Sequence, residues 1–258
     1  MIPPGATRVD DPAPLVAHYC EDRAVHIYAL ADLEPPFWEP SRWYQRGDAV
    51  VGIVSLPGGE GAAVYGVSTI DPEGALALLV DLLNELPSGQ LITAPTGLAA
   101  AVTPHRGVAW SGPHLRYALR DRSCIGSRSA ALVDLGPDDL EELQDLYAVE
   151  PGAAFFLPHM LGDDTFVGVR KGGELVAAGG THVLSVDHGV AAIGAVYTRP
   201  EHRGEGLGSM VTSGVVHRLG GRVATIGLNV AEGNNTARRV YERLGFESIW
   251  RYEECELA

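Results

Sequence analysis

"VYTRPEHRGEGLG", residues 196–208, decides how this chain is read. The apolar run "GVAAIGAVYT" leads into it, and Leu207, Met210, Val211, Gly214 and Val215 follow at helical spacing until Gly220 and Gly221 end the pattern. The stretch is therefore a strand-to-helix turn, with a helix expected from Arg203 and Gly204, Gly206 and Gly208 in its first turns. A helix start exposes N–H groups that lack intrahelical partners and carries a partial positive charge. Where no side chain obstructs it, such a start receives a phosphate. Two familiar phosphate loops fit poorly: no G-K-[ST] follows, and Ser209 stands where G-x-G-x-x-G needs its third glycine. The plain alternative is that these glycines only allow a helix and a strand to pack closely.

Working outward, "RVATIGLNV" predicts a strand and "NNTARRVYERLG" a helix with an Asn cap, whose stripe is Ala237, Val240, Tyr241 and Leu244. "FESIWRYEECEL" predicts a closing strand. Upstream, strand-like "AALVDL" precedes "GPDDLEELQDLY", whose proline and acidic residues suit a helix start. "AAFFLPHML" is expected as a short helix, and "TFVGVR" with "ELVAAGGTHVL" as a hairpin through Lys171, Gly172 and Gly173. In the first half "DAVVGIVS", "AAVYGVS", "QLITA" and "LRYALR" predict strands. "DPEGALALLVDLLNEL" predicts a helix capped by Asp71 and stopped by Pro87. The polar stretch "DRSCIGSRS", residues 121–129, has the composition of a linker, so domains are expected at 1–125 and 130–258, in an α+β class.

Arg203, Gly206 and Gly208 match the acyl-CoA signature R/Q-x-x-G-x-G/A of the GCN5-related N-acetyltransferases (GNATs). Asn234, Ala237, Tyr241, Gly245 and Phe246 match that family's second block, N-x-x-A-x-x-x-Y-x-x-x-G-F. In this order, one helix and one strand apart, the blocks make residues 130–258 resemble the GNAT superfamily, and most of all its FR47-like and glycine N-acyltransferase-like subgroup. The resemblance implies a central, mostly antiparallel sheet flanked by helices. It also implies acetyl-CoA or another acyl-CoA as co-substrate, with no metal, and direct acyl transfer to the amine of a small molecule or amino acid. Backbone amides of Arg203, Gly204, Glu205, Gly206, Leu207, Gly208 and Ser209 would hold the CoA pyrophosphate. The strand end around Val196 and Thr198 would pair with the pantetheine arm. Asn234 would contact the cofactor, cap its helix, or do both. By resemblance Tyr241 donates a proton to the departing thiolate, against the plain reading of a buried, satisfied tyrosine.

Many family members carry a carboxylate on the strand before the signature, and "GVAAIGAVYT" holds none. The general base is therefore unassigned, with His182, His188 and Glu150 as regional candidates. A CoA-binding sensor that lacks catalysis is the rival reading. The first half repeats the order of elements but reads "STIDPEGALALL" at the equivalent turn, where Asp71 and Glu73 would repel a pyrophosphate. A tandem GNAT with a degenerate N-terminal copy is the expectation. The aromatic cluster Phe37, Trp38, Trp43 and Tyr44 is expected to serve packing before ligand binding.

Composition narrows the partners. With 46% apolar residues, 20% charged residues and a net charge of -14, the chain is an ordinary globular sequence whose overall field opposes nucleic acid and anionic membrane. The three cysteines fit neither a disulfide framework nor a zinc knuckle, and no signal peptide or membrane-length apolar run is present, so a cytoplasmic protein is expected. Oligomeric state does not follow from the sequence.

Overall fold

The computed structural model describes residues 2–57 and 61–258. It divides them into two units, one of Met1–Arg116, Ala231–Gly233 and Trp250–Ala258, the other of Tyr117–Val230 and Asn234–Ile249. The expected boundary near residue 125 thus falls at 116, and the last nine residues belong with the first unit. The reason is a strand ladder described below.

In the first unit, strands β1 (Thr7–Val9), β2 (Arg42–Arg46), β3 (Ala49–Ser55), β4 (Ala62–Tyr65) and β5 (Leu91–Ala94) are neighbours in that order. All pairs are antiparallel except β4 with β5, which is parallel. Helices α1 (Ala13–Tyr19), α2 (Ile27–Asp32), α3 (Pro72–Leu82) and α4 (Leu98–Val102) complete it. The helix from Asp71 forms because the Asp71 carboxylate accepts from Gly74 N at 2.9 Å, Pro72 needs no donor in the first turn, and Ala75, Leu78, Leu79 and Leu82 share the buried face. That face meets Val51, Ile53, Val64 and Ile92 in one core. Trp43 and Tyr44 are buried on β2, as packing requires, while Phe37 and Trp38 are partly exposed.

The second unit runs from β6 (Val108–Leu119), which crosses from the first, through β7 (Leu132–Asp134), α5 (Leu140–Ala148), β8 (Val167–Lys171), β9 (Glu174–Ser185), β10 (Val190–Thr198), α6 (Leu207–Leu219), β11 (Thr225–Ala231) and α7 (Asn235–Arg243). Strands β11, β10, β9, β8 and β7 are neighbours in that order, antiparallel apart from the parallel pair β10 with β11. The two-residue period of β9 distributes the helices over its faces. Ala178 lies in the core with Leu143 and Leu146 of α5, and a Cβ on the next residue, Gly179, would come within 2.8 Å of Val211 of α6. The final strand, β12 (Phe246–Leu257), begins in the second unit and ends in the first, where Glu253–Glu256 pair with Leu91–Ala94 of β5.

Two expectations are corrected. Within "AAFFLPHML" only the stretch from Pro158 is helical, a 3-10 helix over Pro158–Asp163, because Pro158 can begin a helix but not continue one. The helix expected from Arg203 starts at Leu207. Gly206 has φ 78° and Gly204 φ 84°, left-handed values that a helix interior excludes.

Candidate acyl-CoA cleft

The parallel ladder of β10 with β11 spans only Val190–Ile193 against Thr225–Leu228. Beyond it β10 continues to Thr198 and β11 to Ala231 without pairing with each other, so the two strands part where the sequence placed the pantetheine. On its other edge β10 carries a bulge. Its register with β9 jumps from Gly194 opposite Gly180 to Tyr197 opposite Ala178, and Ala195 takes φ 52°, unusual for a residue with a Cβ. Val196 stands in this bulge and Thr198 at the strand end.

The glycine turn follows directly. At the start of α6, Gly206 supplies no capping side chain and the first helical hydrogen bond is Met210 N to Gly206 O, so the amides of Leu207, Gly208 and Ser209 have no partner within the helix. A Cβ built on Gly204, Gly206 or Gly208 meets nothing within 4 Å. These glycines therefore open a space, and the packing explanation does not hold for them. Leu207 is buried and anchors the turn, while Arg203, Gly204, Glu205 and Gly206 are exposed. The Arg203 side chain braces the loop: its Nε donates to Thr198 O at 3.2 Å and its guanidinium pairs with Glu150. Glu205 pairs with Lys171 and with His202, so its charge is opposed beside the open amides.

Opposite this turn in sequence order, α7 presents Ala237, Val240 and Tyr241 as a stripe that is only half-buried, although the helix is well formed. Asn234 caps it, accepting from Ala237 N at 3.1 Å. The Tyr241 ring lies 6.5 Å from Tyr117 and 6.1 Å from Phe246. Burial pushes its phenol up to about 12. Among the described residues its hydroxyl has no hydrogen-bond partner, unlike that of Tyr117, which donates to Glu242 at 2.9 Å.

None of the three regional bases is poised as one. Glu150 accepts from Tyr197 at 2.8 Å and pairs with Arg203, and these contacts hold its carboxyl below the usual range. The His182 imidazole is desolvated, with its pKa pushed down to about 4, and its Nε2 accepts from Ala195 N. His188 lies at the turn before β10, at the opposite end of that strand from the bulge. Among the described residues no group of His, Cys, Asp or Glu side chains could hold a metal ion.

The corresponding place in the first unit is arranged differently. The ladder of β4 with β5 extends past Tyr65, because Gly66 N donates to Thr93 O, and the start of α3 is occupied by its own Asp71. A concavity of about 380 Å³ lies there, lined by Ser68, Pro72, Thr96, Trp250 and Arg251. Ser68 Oγ accepts from Asp71 N and Arg251 binds Glu232 through two hydrogen bonds.

Residues 167–255 match the model of the FR47-like protein family. A putative GNAT-family acetyltransferase from Novosphingobium aromaticivorans superposes with a TM-score of 0.60 at 23% identity, covering 80% of this chain and 87% of that one. A GCN5-related N-acetyltransferase from Sphaerobacter thermophilus gives 0.58 at 16% identity over 100% and 97% of the two chains. A tandem GNAT protein from the clavulanic acid biosynthesis pathway gives 0.54 at 16% identity over 97% of each. No curated protein matches. The chain has the tandem fold of the GCN5-related N-acetyltransferases, and its second half carries the FR47-like segment.

Proposed function

We propose that this protein is an acyl-CoA-dependent N-acyltransferase that transfers an acetyl group to the amine of a small molecule or amino acid, using the cleft of its second unit. The observation that carries the reading is the uncapped start of α6 with three glycines facing open space. That is the cradle a pyrophosphate needs, and a side chain at any of the three would intrude on it. Acyl-CoA brings an acyl group already activated as a thioester. The chain supplies the rest. Backbone amides of Leu207, Gly208 and Ser209 bind the diphosphate, Arg203 holds their loop to Thr198 and Glu150, and the edge of β10 away from β9, which β11 does not pair beyond Ile193, offers main-chain partners to the pantetheine arm around Val196 and Thr198. Tyr241 keeps its proton at neutral pH and can give it to the departing sulfur. With no free carboxylate or imidazole on β10, the amine must arrive neutral or lose its proton through water.

The first unit, in this reading, is a degenerate copy without an acyl-CoA site. Its Asp71 satisfies the helix start that a phosphate would otherwise occupy. Among the described residues no helix is long and apolar enough to cross a membrane, and the reading carries with it a cytoplasmic location, where acyl-CoA is made. A second reading, a CoA-binding sensor, draws on one observation, the engagement of Glu150 and His182 in hydrogen bonds that leave neither as a base. Titration calorimetry with acetyl-CoA should give one site per chain, and thiol release with a panel of amines should show turnover. Two comparable sites would overturn the degenerate copy. Binding without turnover on any amine would favour the sensor.

A further inference from the structure

Both peptide groups that flank Ala195 are held by side chains. The Ala195 N–H donates to His182 Nε2 at 3.0 Å, and the Ala195 carbonyl accepts from the Tyr147 hydroxyl at 2.7 Å. The two side chains come from different elements, His182 from β9 and Tyr147 from α5. Room for the imidazole is made by Gly194, where a Cβ would lie 2.2 Å from the His182 ring, and room for the bulge by Gly179, where a Cβ would lie 3.0 Å from the Val196 side chain. A left-handed alanine is strained, so it persists only where its surroundings over-determine it.

We propose that His182 and Tyr147 are positioning residues that clamp Ala195 between them, thereby fixing the bulge of β10 and the direction of the backbone donors that an acyl carbonyl would meet there. This rests on the acyltransferase reading of the cleft. The clamp commits His182 to one tautomer. Nε2 lies 3.0 Å from both Ala195 N and Phe155 O, and with a single position it cannot accept from one and donate to the other at once. Accepting from Ala195 leaves the carbonyl of Phe155, a residue 51% exposed, to water, whereas the opposite choice strands an amide inside the sheet. The proton therefore sits on Nδ1. Desolvation favours the neutral ring, and the Phe155 carbonyl opposes it. An imidazole held this way is unavailable as a general base, which accounts for a histidine in the cleft region that does no proton transfer.

Three measurements test the clamp. Long-range nitrogen–proton correlation spectra of the full chain at neutral pH should show His182 with a bare Nε2 and a protonated Nδ1; an Nε2–H ring overturns the proposal. Hydrogen exchange should speed up for the peptide covering residues 194–197 in His182→Leu and in Tyr147→Phe, with residues 190–193 unchanged, and unaltered exchange at 194–197 overturns it. His182→Gln, whose amide oxygen can accept from Ala195 N, should restore both the protection and the rate. With acetyl-CoA and a working amine, His182→Leu should lower kcat about 10- to 100-fold, the scale of a misplaced reacting group, while KM for acetyl-CoA changes less than threefold or so. A loss confined to KM overturns the positioning role. If His182→Leu does not fold, the wild-type tautomer and the Tyr147→Phe exchange decide the matter. An enzyme inactive on every amine would overturn the acyltransferase reading, and the tautomer and exchange results would still judge the clamp.

Discussion

Tyr241 and Asp32 show how differently a desolvated side chain can matter. In the proposed reaction Tyr241 is the proton donor that the resemblance implies, and its hydroxyl is unengaged among the described residues. Tyr241→Phe retains the ring against Tyr117 and Phe246 and removes only the proton. CoA affinity by calorimetry should barely move, while the single-turnover rate falls about 100- to 10,000-fold. Asp32, in the first unit, is buried with Tyr65 as its hydrogen-bond partner, and burial pushes its carboxyl up from 3.8 to about 8. A carboxyl raised in the folded state favours folding most at acid pH; its contribution declines as pH rises from about 4 through 8, because the unfolded chain loses that proton first. Asp32→Asn removes this decline. Its stability, from urea melts, should match wild type near pH 4 and exceed it by roughly 5 kcal/mol at pH 8, at about 1.4 kcal/mol per pH unit. Equal pH profiles would mean that Asp32 is ionised in the fold. None of this is visible in sequence, where Asp32 is one acidic residue among 33.

Helix starts carry the argument at the scale of elements. The first and second units each place a helix after the strand that begins their parallel pair, and the two helices differ in what meets their first amides: Asp71 for α3, nothing for α6. Gly208→Asp would place a carboxylate at the open start of α6, where the helix dipole welcomes it and a pyrophosphate does not. The melting temperature should hold or rise slightly, while CoA affinity falls at least roughly tenfold, the scale of losing a charge-assisted contact. An unchanged affinity in the folded variant would move the phosphate elsewhere. These elements were legible because their signals are local. Asn234 and Asp71 cap as their side chains foretell, and the stripes of α3 and α7 repeat at helical spacing. The start of α6 lies four residues beyond the Arg203 that the sequence suggests, because left-handed glycines look the same in sequence as helical ones. Helix α2 escaped notice for another reason: Ile27 to Asp32 are all buried, so no polar face marks a period. The bulge at Ala195 has no signature at all, since nothing about an alanine announces a positive φ and its clamps lie 13 and 48 residues away in sequence.

Taken whole, the chain is two units but not two consecutive segments. The domain boundary expected near residue 125 rested on a polar stretch, and composition cannot reveal that a strand at one end of a sequence completes a sheet at the other. Tyr252, Cys255 and Leu257 are each at most 1% exposed, and the last two lie in the core that α3 covers. Removing residues 250–258 should therefore destabilise the first unit by at least roughly 3 kcal/mol, the scale of deleting one large buried side chain. In hydrogen exchange, protection should be lost in β5 and α3, and retained protection there would show that β12 is dispensable.

The crossing of β12 also sets an order of events during synthesis. Domains ordinarily fold as they leave the ribosome, the N-terminal one first. Here β5 lacks its neighbour until residues 250–258 emerge, on the order of ten seconds after Arg116 at ordinary elongation rates. Throughout that interval the exposed edge of β5 is open to a nascent chain on a neighbouring ribosome. Of the two units, the one that leaves the ribosome earlier is thus the one completed last.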